Sequence, residues 1–304
     1  MIRVGTLLLA TSLAIIVLVL GASTVLAIVL LSRGGQADPG WIAFISEDES
    51  ASDIYLMRPD GSEIRQLTKD GQPKGSPDWS PDGKRVAFTV RGEHEDIWVM
   101  NSDGTGLKRI TNGLVHTSQP AWSPDGAFVA FSSDRTGNSE IYVMRSDGSS
   151  VRRLTANQGE AYFPDWSPDG KTIVFYAWLS DGRSLMLVNA DGTNLRRLPL
   201  RGDVCCPAWS PNGSRIAFLY AREGSGGIYV ADTDGAILTP ITNDGEDDNG
   251  PSWSSDGRRI VFASLRDSGY EEADYEIYVV NENGTNLTRI ANRDGRNYAP
   301  KWSP

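Results

Sequence analysis

Cysteine and histidine are scarce in this chain, and their scarcity excludes several kinds of site. The only cysteines, Cys205 and Cys206, are adjacent, so the chain has no framework of long-range disulfides. A bridge between neighbouring residues closes a strained ring, and we therefore expect two free thiols. The only histidines, His94 and His116, are separated in sequence and lack the spacing of a zinc site, which needs three or four ligands. The sequence predicts no metal.

Sequence motifs for catalysis and for cofactor binding are also missing. The Gly-x-Ser-x-Gly nucleophile elbow is absent, because Glu223 stands where the segment around Ser225 would need its first glycine. No calcium-loop pattern and no glycine-rich phosphate loop before a helix occurs. The sequence therefore predicts no catalytic residue and no cofactor.

Positive charge is in deficit. The chain has 29 Lys and Arg against 39 Asp and Glu, a formal net charge of −10. Nucleic acid needs a basic surface, so it is excluded as a partner. The negative charge itself needs no specific ligand, since it also serves to keep a domain soluble.

One long apolar segment stands at the N-terminus, where residues 4–32 carry no charge. As a helix this segment would span about 43 Å, more than the ~30 Å hydrocarbon core of a membrane. We interpret residues 1–33 as a single-pass anchor in the cytoplasmic membrane, residues 34–40 as a linker and residues 41–304 as an extracytoplasmic domain. The alternative is a signal cleaved after Ala27, which would leave the domain secreted or periplasmic.

The rest of the chain repeats itself. The dipeptide Trp-Ser recurs at spacings of 43, 44, 43, 44 and 49 residues, each time two residues after a proline. The six tryptophans are Trp79, Trp122, Trp166, Trp209, Trp253 and Trp302. A Ser-Pro-Asp-Gly type I turn or a variant of it follows five of them, then an apolar strand such as 86–88, a third strand such as 97–100, an Asp-Gly or Asn-Gly turn and a short fourth strand. Four antiparallel strands in about 43 residues predict a propeller blade.

The two ends of the repeat indicate how the ring closes. The first copy begins at its second strand, with Trp41, and lacks a Pro-x-Trp-Ser strand. Residues 300–304 form that first strand with no blade after it. Together they complete a sixth blade and hide two sheet edges. The sequence therefore predicts an all-β fold, a six-bladed propeller whose C-terminal strand closes the first blade, preceded by one transmembrane helix.

The repeat, seen best in residues 77–111 and 120–155, resembles the TolB-type propeller repeat over about 265 residues. In that family a small α/β domain precedes the propeller, and the periplasmic protein binds a lipoprotein in an envelope system. Here the first 40 residues are expected to hold an anchor and linker instead. The propeller halves of prolyl-oligopeptidase-like peptidases have similar repeats, but an α/β-hydrolase domain does their chemistry.

The segments that enter the first strand of each blade are the candidate binding site. They vary between copies while the framework around them repeats, and loops on a rigid scaffold often carry function. We expect them to form a polar channel mouth that includes an acidic arc able to take a cation or a basic side chain; a solvated rim without a ligand is the alternative. The predicted residues are His116, Glu160, Tyr162, Asp203, Asp247, Asp248, Arg296 and Tyr298.

These observations favour a binding or scaffolding module over an enzyme. The expected partner is an envelope protein, a peptide or a glycan. The alternative is a hydrolase or lyase that acts on a sugar or peptide in the channel, with two carboxylates such as Glu160 and Asp203 at a separation of roughly 5–9.5 Å. Tyr176 and Trp178 depart from the repeat and mark either an aromatic binding edge or local packing.

Overall fold

The propeller is seen in a computed structural model. It describes residues 40–304 apart from 49–51, 112, 114, 157–158, 201, 223–224, 243–247, 268–273, 292 and 294. The predicted anchor (1–33) and most of the linker (34–39) lie outside the described residues. Within the described part of the chain, no helix is long and apolar enough to cross a membrane.

Six four-stranded antiparallel sheets form the described chain, in agreement with the predicted six blades. The innermost strand of each blade ends at the repeated tryptophan: β4 (Lys74–Trp79), β8 (Thr117–Trp122), β12 (Glu160–Trp166), β16 (Asp203–Trp209), β20 (Asp248–Trp253) and β24 (Arg296–Trp302). The second strands are β1 (Ile42–Glu47), β5 (Arg85–Val90), β9 (Phe128–Ser133), β13 (Thr172–Leu179), β17 (Arg215–Arg222) and β21 (Arg259–Ser264).

The outer half of each blade is a long strand followed by a short one. The third strands are β2 (Ser52–Met57), β6 (Asp96–Asn101), β10 (Glu140–Arg145), β14 (Gly182–Asn189), β18 (Ser225–Asp232) and β22 (Glu276–Asn281). The fourth strands are β3 (Arg65–Gln66), β7 (Lys108–Arg109), β11 (Arg152–Arg153), β15 (Arg196–Arg197), β19 (Leu238–Pro240) and β23 (Thr288–Arg289). Blades 4 and 5 are taller than the others, because their second and third strands have eight residues instead of six.

The turn after each tryptophan forms as the sequence predicts. In blade 2 the amide of Gly83 donates to the carbonyl of Ser80 at 2.8 Å, and Gly83 has φ +67°, a conformation that glycine adopts without strain. The Ser80 hydroxyl accepts the Arg85 amide at 2.9 Å. These contacts start the second strand in register with the first.

Ring closure is also confirmed. Strand β24 pairs antiparallel with β1, with Trp302 opposite Ile42, and completes blade 1 from both ends of the described chain. The Trp41 amide donates to the Ser303 hydroxyl at 2.8 Å, and the Ser303 amide donates to the Trp41 carbonyl at 2.8 Å.

The hydrophobic core lies between the blades rather than inside any one of them. Six buried clusters occupy the six blade interfaces. At the interface of blades 2 and 3, for example, Ile97 and Val99 pack with Trp122 and Phe131. Because each blade buries its faces only against its neighbours, the closed ring is the stable unit.

Candidate functional site

Every inner strand carries a β-bulge just before its proline. The residue before the proline is in the left-handed region in all six blades, with φ between 46° and 60°. These residues are Ser76, Gln119, Phe163, Cys206, Gly250 and Ala299. The register of each inner strand against its neighbour shifts at this point. A bulge bends its strand and redirects the side chains that follow.

The bulges surround a narrow cavity in the central channel. All six repeat prolines line it, together with the six left-handed residues. The cavity has a volume of about 90 Å³. Its remaining lining residues are Asp78, Asp165 and Lys301, which each follow a proline. The same three residues also line the opening on the tryptophan side, so they form the waist of the channel.

The waist is an ion-pair cluster. The ammonium nitrogen of Lys301 lies 3.0 Å from Asp78 Oδ1 and 3.4 Å from Asp165 Oδ1. Burial raises the pKa of Asp78, and the charge of Lys301 opposes that rise. Burial acts to lower the pKa of Lys301, but the carboxylates of Asp165 and Asp78 outweigh it and hold the pKa above its ordinary value. Two acids facing one base leave the waist with one excess negative charge when all three are ionised.

The waist also gives the ring an alternating, threefold pattern. In three blades the side chain after the proline accepts the tryptophan backbone amide of the next blade: Asp78 from Trp122 at 2.7 Å, Asp165 from Trp209 at 2.7 Å and Ser252 from Trp302 at 3.1 Å. In the other three blades the backbone carbonyl at this position accepts the tryptophan indole instead: Ala121 from Trp166, Ala208 from Trp253 and Lys301 from Trp79, each at 3.2 Å. The six tryptophans are therefore structural, but in two alternating ways.

The predicted rim residues lie outside this cavity. None of the rim residues that the structure describes lines it. His116, Glu160, Asp203 and Arg296 are exposed at or next to the start of an inner strand, whereas Tyr162 and Tyr298 are half-buried.

The predicted acidic arc consists of Glu160, Asp203, Asp247 and Asp248, and not all of these carboxylates face the channel mouth. Asp248 is 2% exposed and forms an ion pair with Arg266 at 2.7 Å, so its carboxylate is engaged inside blade 6. Asp247 lies outside the described residues. Glu160 and Asp203 are the members of the arc that the described structure leaves exposed.

Blade 4 presents an aromatic group at the rim. The Tyr162 hydroxyl donates to Glu160 Oε2 at 2.8 Å, and burial together with this bond raises the pKa of Tyr162 to about 12. Tyr176 packs against Tyr162, with ring centroids 5.6 Å apart. Trp178 pairs across the strands with Glu160 and is 53% exposed. The sequence did not decide whether Tyr176 and Trp178 serve local packing or binding. In the structure Tyr176 is partly buried and Trp178 is exposed.

The expectation of two free thiols is wrong, because Cys205 and Cys206 are joined in a disulfide. In a regular strand adjacent side chains point to opposite faces, which keeps neighbouring sulfurs apart. The bulge at Cys206 breaks that alternation, with the register shifting between Cys205 and Ala208. The fold therefore permits a bridge that strand geometry alone would not.

Sequence reasoning missed the waist, although a signal was present. The residue between Pro and Trp is Asp, Ala, Asp, Ala, Ser and Lys in successive inner strands, an alternation within an otherwise fixed motif. Among the residues that the structure describes, no group of three or more His, Cys, Asp or Glu side chains could hold a metal ion. The waist is suited to an ion pair or to a polar contact with an entering ligand.

Comparison with known proteins finds a TolB β-propeller family model and relatives named TolB. The model of the TolB β-propeller domain family matches residues 30–199 and 198–304. The Tol-Pal system protein TolB of Alcanivorax borkumensis is 38% identical over 74 residues, 24% of this chain and 16% of that protein. The protein of the same name from Geobacter sulfurreducens is 38% identical over 87 residues, 28% of this chain and 19% of that protein. The matched stretches thus span less than a fifth of either relative.

Among solved structures, TolB from Acinetobacter baumannii is similar with a TM-score of 0.79 and 23% identity. The similarity covers 88% of this chain and 68% of that one. At this identity the likeness establishes the fold alone.

Proposed function

The chain belongs to the family of TolB β-propeller domains, and from this premise we propose that it is a protein-binding module of the cell envelope. Residues 1–33 anchor it in the cytoplasmic membrane, and the propeller lies on the extracytoplasmic side. Its binding site is the channel mouth, and its partner is another envelope protein. The names of the curated relatives, which refer to the Tol-Pal system, support this class of partner.

The observation that carries the proposal is the asymmetry of the mouth. The prolines, bulges and turns of the framework recur from blade to blade, yet the rim positions carry different side chains. The taller hairpin of blade 4 places exposed Trp178 beside Glu160, and the cavity below has a charged floor. Exposed aromatic side chains with charged neighbours are typical anchors of protein interfaces.

The test is a cross-linking pull-down from solubilised envelope. The bait is the full chain, compared with a mouth variant carrying Glu160→Ala, Trp178→Ala and Asp203→Ala. A matched control carries Glu63→Ala and Glu282→Ala, which remove exposed or partly exposed carboxylates in the turns that lead to the fourth strands. We expect one set of envelope proteins to be captured by the parent and the control and lost by the mouth variant. Equal capture by all three baits would refute the mouth as the site.

Anchoring needs its own measurement. We expect the mature protein from membranes to retain residues 1–33 in intact-mass analysis and to resist extraction by carbonate. A mature chain that begins near residue 28 and is released with the soluble periplasmic fraction would establish the cleaved signal instead.

A second candidate, an enzyme of the channel, is favoured by one observation. Asp78, whose pKa is raised by burial, and Asp165 both contact the same Lys301 nitrogen, at 3.0 and 3.4 Å. Glycoside hydrolysis also uses two carboxyl groups, one of which has a raised pKa. The test is turnover of chromogenic glycosides and peptides by the parent chain, with loss in Asp78→Asn; no turnover by the parent removes this candidate.

A further inference from the structure

The fold brings the two histidines of the chain together. His94 lies in the loop between β5 and β6 of blade 2, and His116 precedes β8 of blade 3. Their ring centroids are 5.6 Å apart, with an angle of 76° between the planes. Both side chains are exposed. This contact could not be predicted from the sequence, because the two residues belong to different blades.

The separation of the rings fits edge-to-face packing and also fits two imidazoles bound to one metal ion. A zinc–nitrogen bond is about 2.0–2.1 Å long, which puts the centre of each ring roughly 3 Å from the ion. Two such rings at a tetrahedral angle have centres about 5 Å apart, and the observed 5.6 Å corresponds to an angle of about 120–140° at the ion.

The backbone holds the two loops side by side. The Thr117 amide donates to the Glu95 carbonyl at 2.8 Å, which joins the residues that directly follow the two histidines. The His116 amide donates to Asp134 Oδ1 at 3.1 Å. Ring orientation is therefore the main freedom that a ligand would have to fix, and a site with a fixed backbone loses less entropy on binding.

We propose that His94 and His116 form a two-ligand site for a divalent transition metal ion at the channel rim. Imidazole suits Zn²⁺, Ni²⁺ and Cu²⁺. The remaining coordination positions are open to water or to a side chain of a bound partner, since the described residues contain no cluster of three or more metal-ligating side chains. The site does not depend on the proposed protein-binding function, because a metal ion alone can occupy it.

The first experiment is calorimetric titration of the full chain, without an affinity tag, with Zn²⁺. We expect one ion per chain, and at least a tenfold loss of affinity in both His94→Ala and His116→Ala, the usual cost of disturbing a metal site. The mouth variant described above keeps both histidines and should bind Zn²⁺ as the parent does. It separates failure of this proposal from failure of the protein-binding proposal.

The second readout is independent of affinity. In NMR spectra of chain labelled with ¹⁵N-histidine, substoichiometric Cu²⁺ should broaden the signals of both histidines together in the parent. In either single variant the remaining histidine should broaden only at a higher Cu²⁺ concentration. Independent broadening of the two residues, or Zn²⁺ affinity unchanged in either variant, would show that the rings merely pack edge to face.

Discussion

Replacing Lys301 with methionine tests whether the waist is held together by charge. The substitution keeps the length and most of the volume of the side chain but removes the counter-ion of Asp78 and Asp165. Breaking a buried ion pair usually costs about 3–5 kcal/mol. Here Lys301 is 28% exposed and each carboxylate keeps one tryptophan amide donor, so screening and these bonds reduce the loss to about 2–4 kcal/mol.

The assay is thermal unfolding followed by circular dichroism. For a domain of this size 1 kcal/mol corresponds to roughly 2 °C, so the melting temperature should fall by about 4–8 °C at neutral pH. The difference in melting temperature between the variant and the parent should become smaller as the pH is lowered. Asp78 already has a raised pKa in the folded chain, and without Lys301 that pKa rises further. The folded state then binds a proton more tightly than the unfolded state, so stability is lost as pH rises through the folded pKa and regained as pH falls.

The matched control is the triple variant Lys301→Met, Asp78→Asn and Asp165→Asn. Both asparagines can still accept the tryptophan amides, but no charge remains at the waist. We expect the triple variant to recover most of the lost stability. A melting temperature of Lys301→Met within 1 °C of the parent, or a triple variant no more stable than the single one, would refute the electrostatic account.

Three further predictions follow from the geometry of the inner strands. Trp166→Phe should be about 1 kcal/mol less stable in urea than Trp122→Phe, because the Trp166 indole donates to a carbonyl whereas the buried Trp122 indole has no hydrogen-bond partner; equal losses would contradict the alternation. Gly250→Ala should cost about 1–2 kcal/mol through its left-handed backbone, since an added Cβ meets only ordinary contacts from 3.8 Å; an unchanged urea midpoint would contradict this. Ellman titration should detect no thiol at Cys205 or Cys206 in the denatured chain before reduction and two afterwards; two thiols beforehand would exclude the disulfide.

The repeat made the blades predictable because each of its elements has a local cause. Proline and glycine fix the turns, the β-branched and aromatic residues form the strands, and the spare strand at residues 300–304 has a single place to go. The number of repeat copies, together with the incomplete first copy and the spare last strand, therefore determines blade number and closure. The disulfide and the bulges were not predictable in this way. A left-handed conformation is usually signalled by glycine, yet of the six residues that adopt it only Gly250 is one.

The site was predicted less completely than the fold, for a different reason. Its waist joins side chains across the channel, and Lys301 and Asp165 are 136 residues apart in sequence. Contacts across a ring depend on which blades face each other. No local sequence pattern carries this information. The same holds for the histidine pair, which needs the packing of blade 2 against blade 3. Variation within the repeat located the rim, but it did not distinguish engaged Asp248 from exposed Glu160.

Closure of the first blade has a consequence for the order of events during biosynthesis. Strands β1, β2 and β3 are among the first parts of the propeller to be made, yet the β1 edge stays unpaired until β24 arrives at the other end of the described chain. Joining partners so distant in sequence is slow, because the entropy of closing the loop is lost before contacts compensate for it. Until β24 (residues 296–302) has been made, the other five blades form an open arc. The blade interface at each end of that arc is exposed. The nascent propeller is therefore vulnerable to proteases and to pairing with other chains until β24 has been made and has paired with β1.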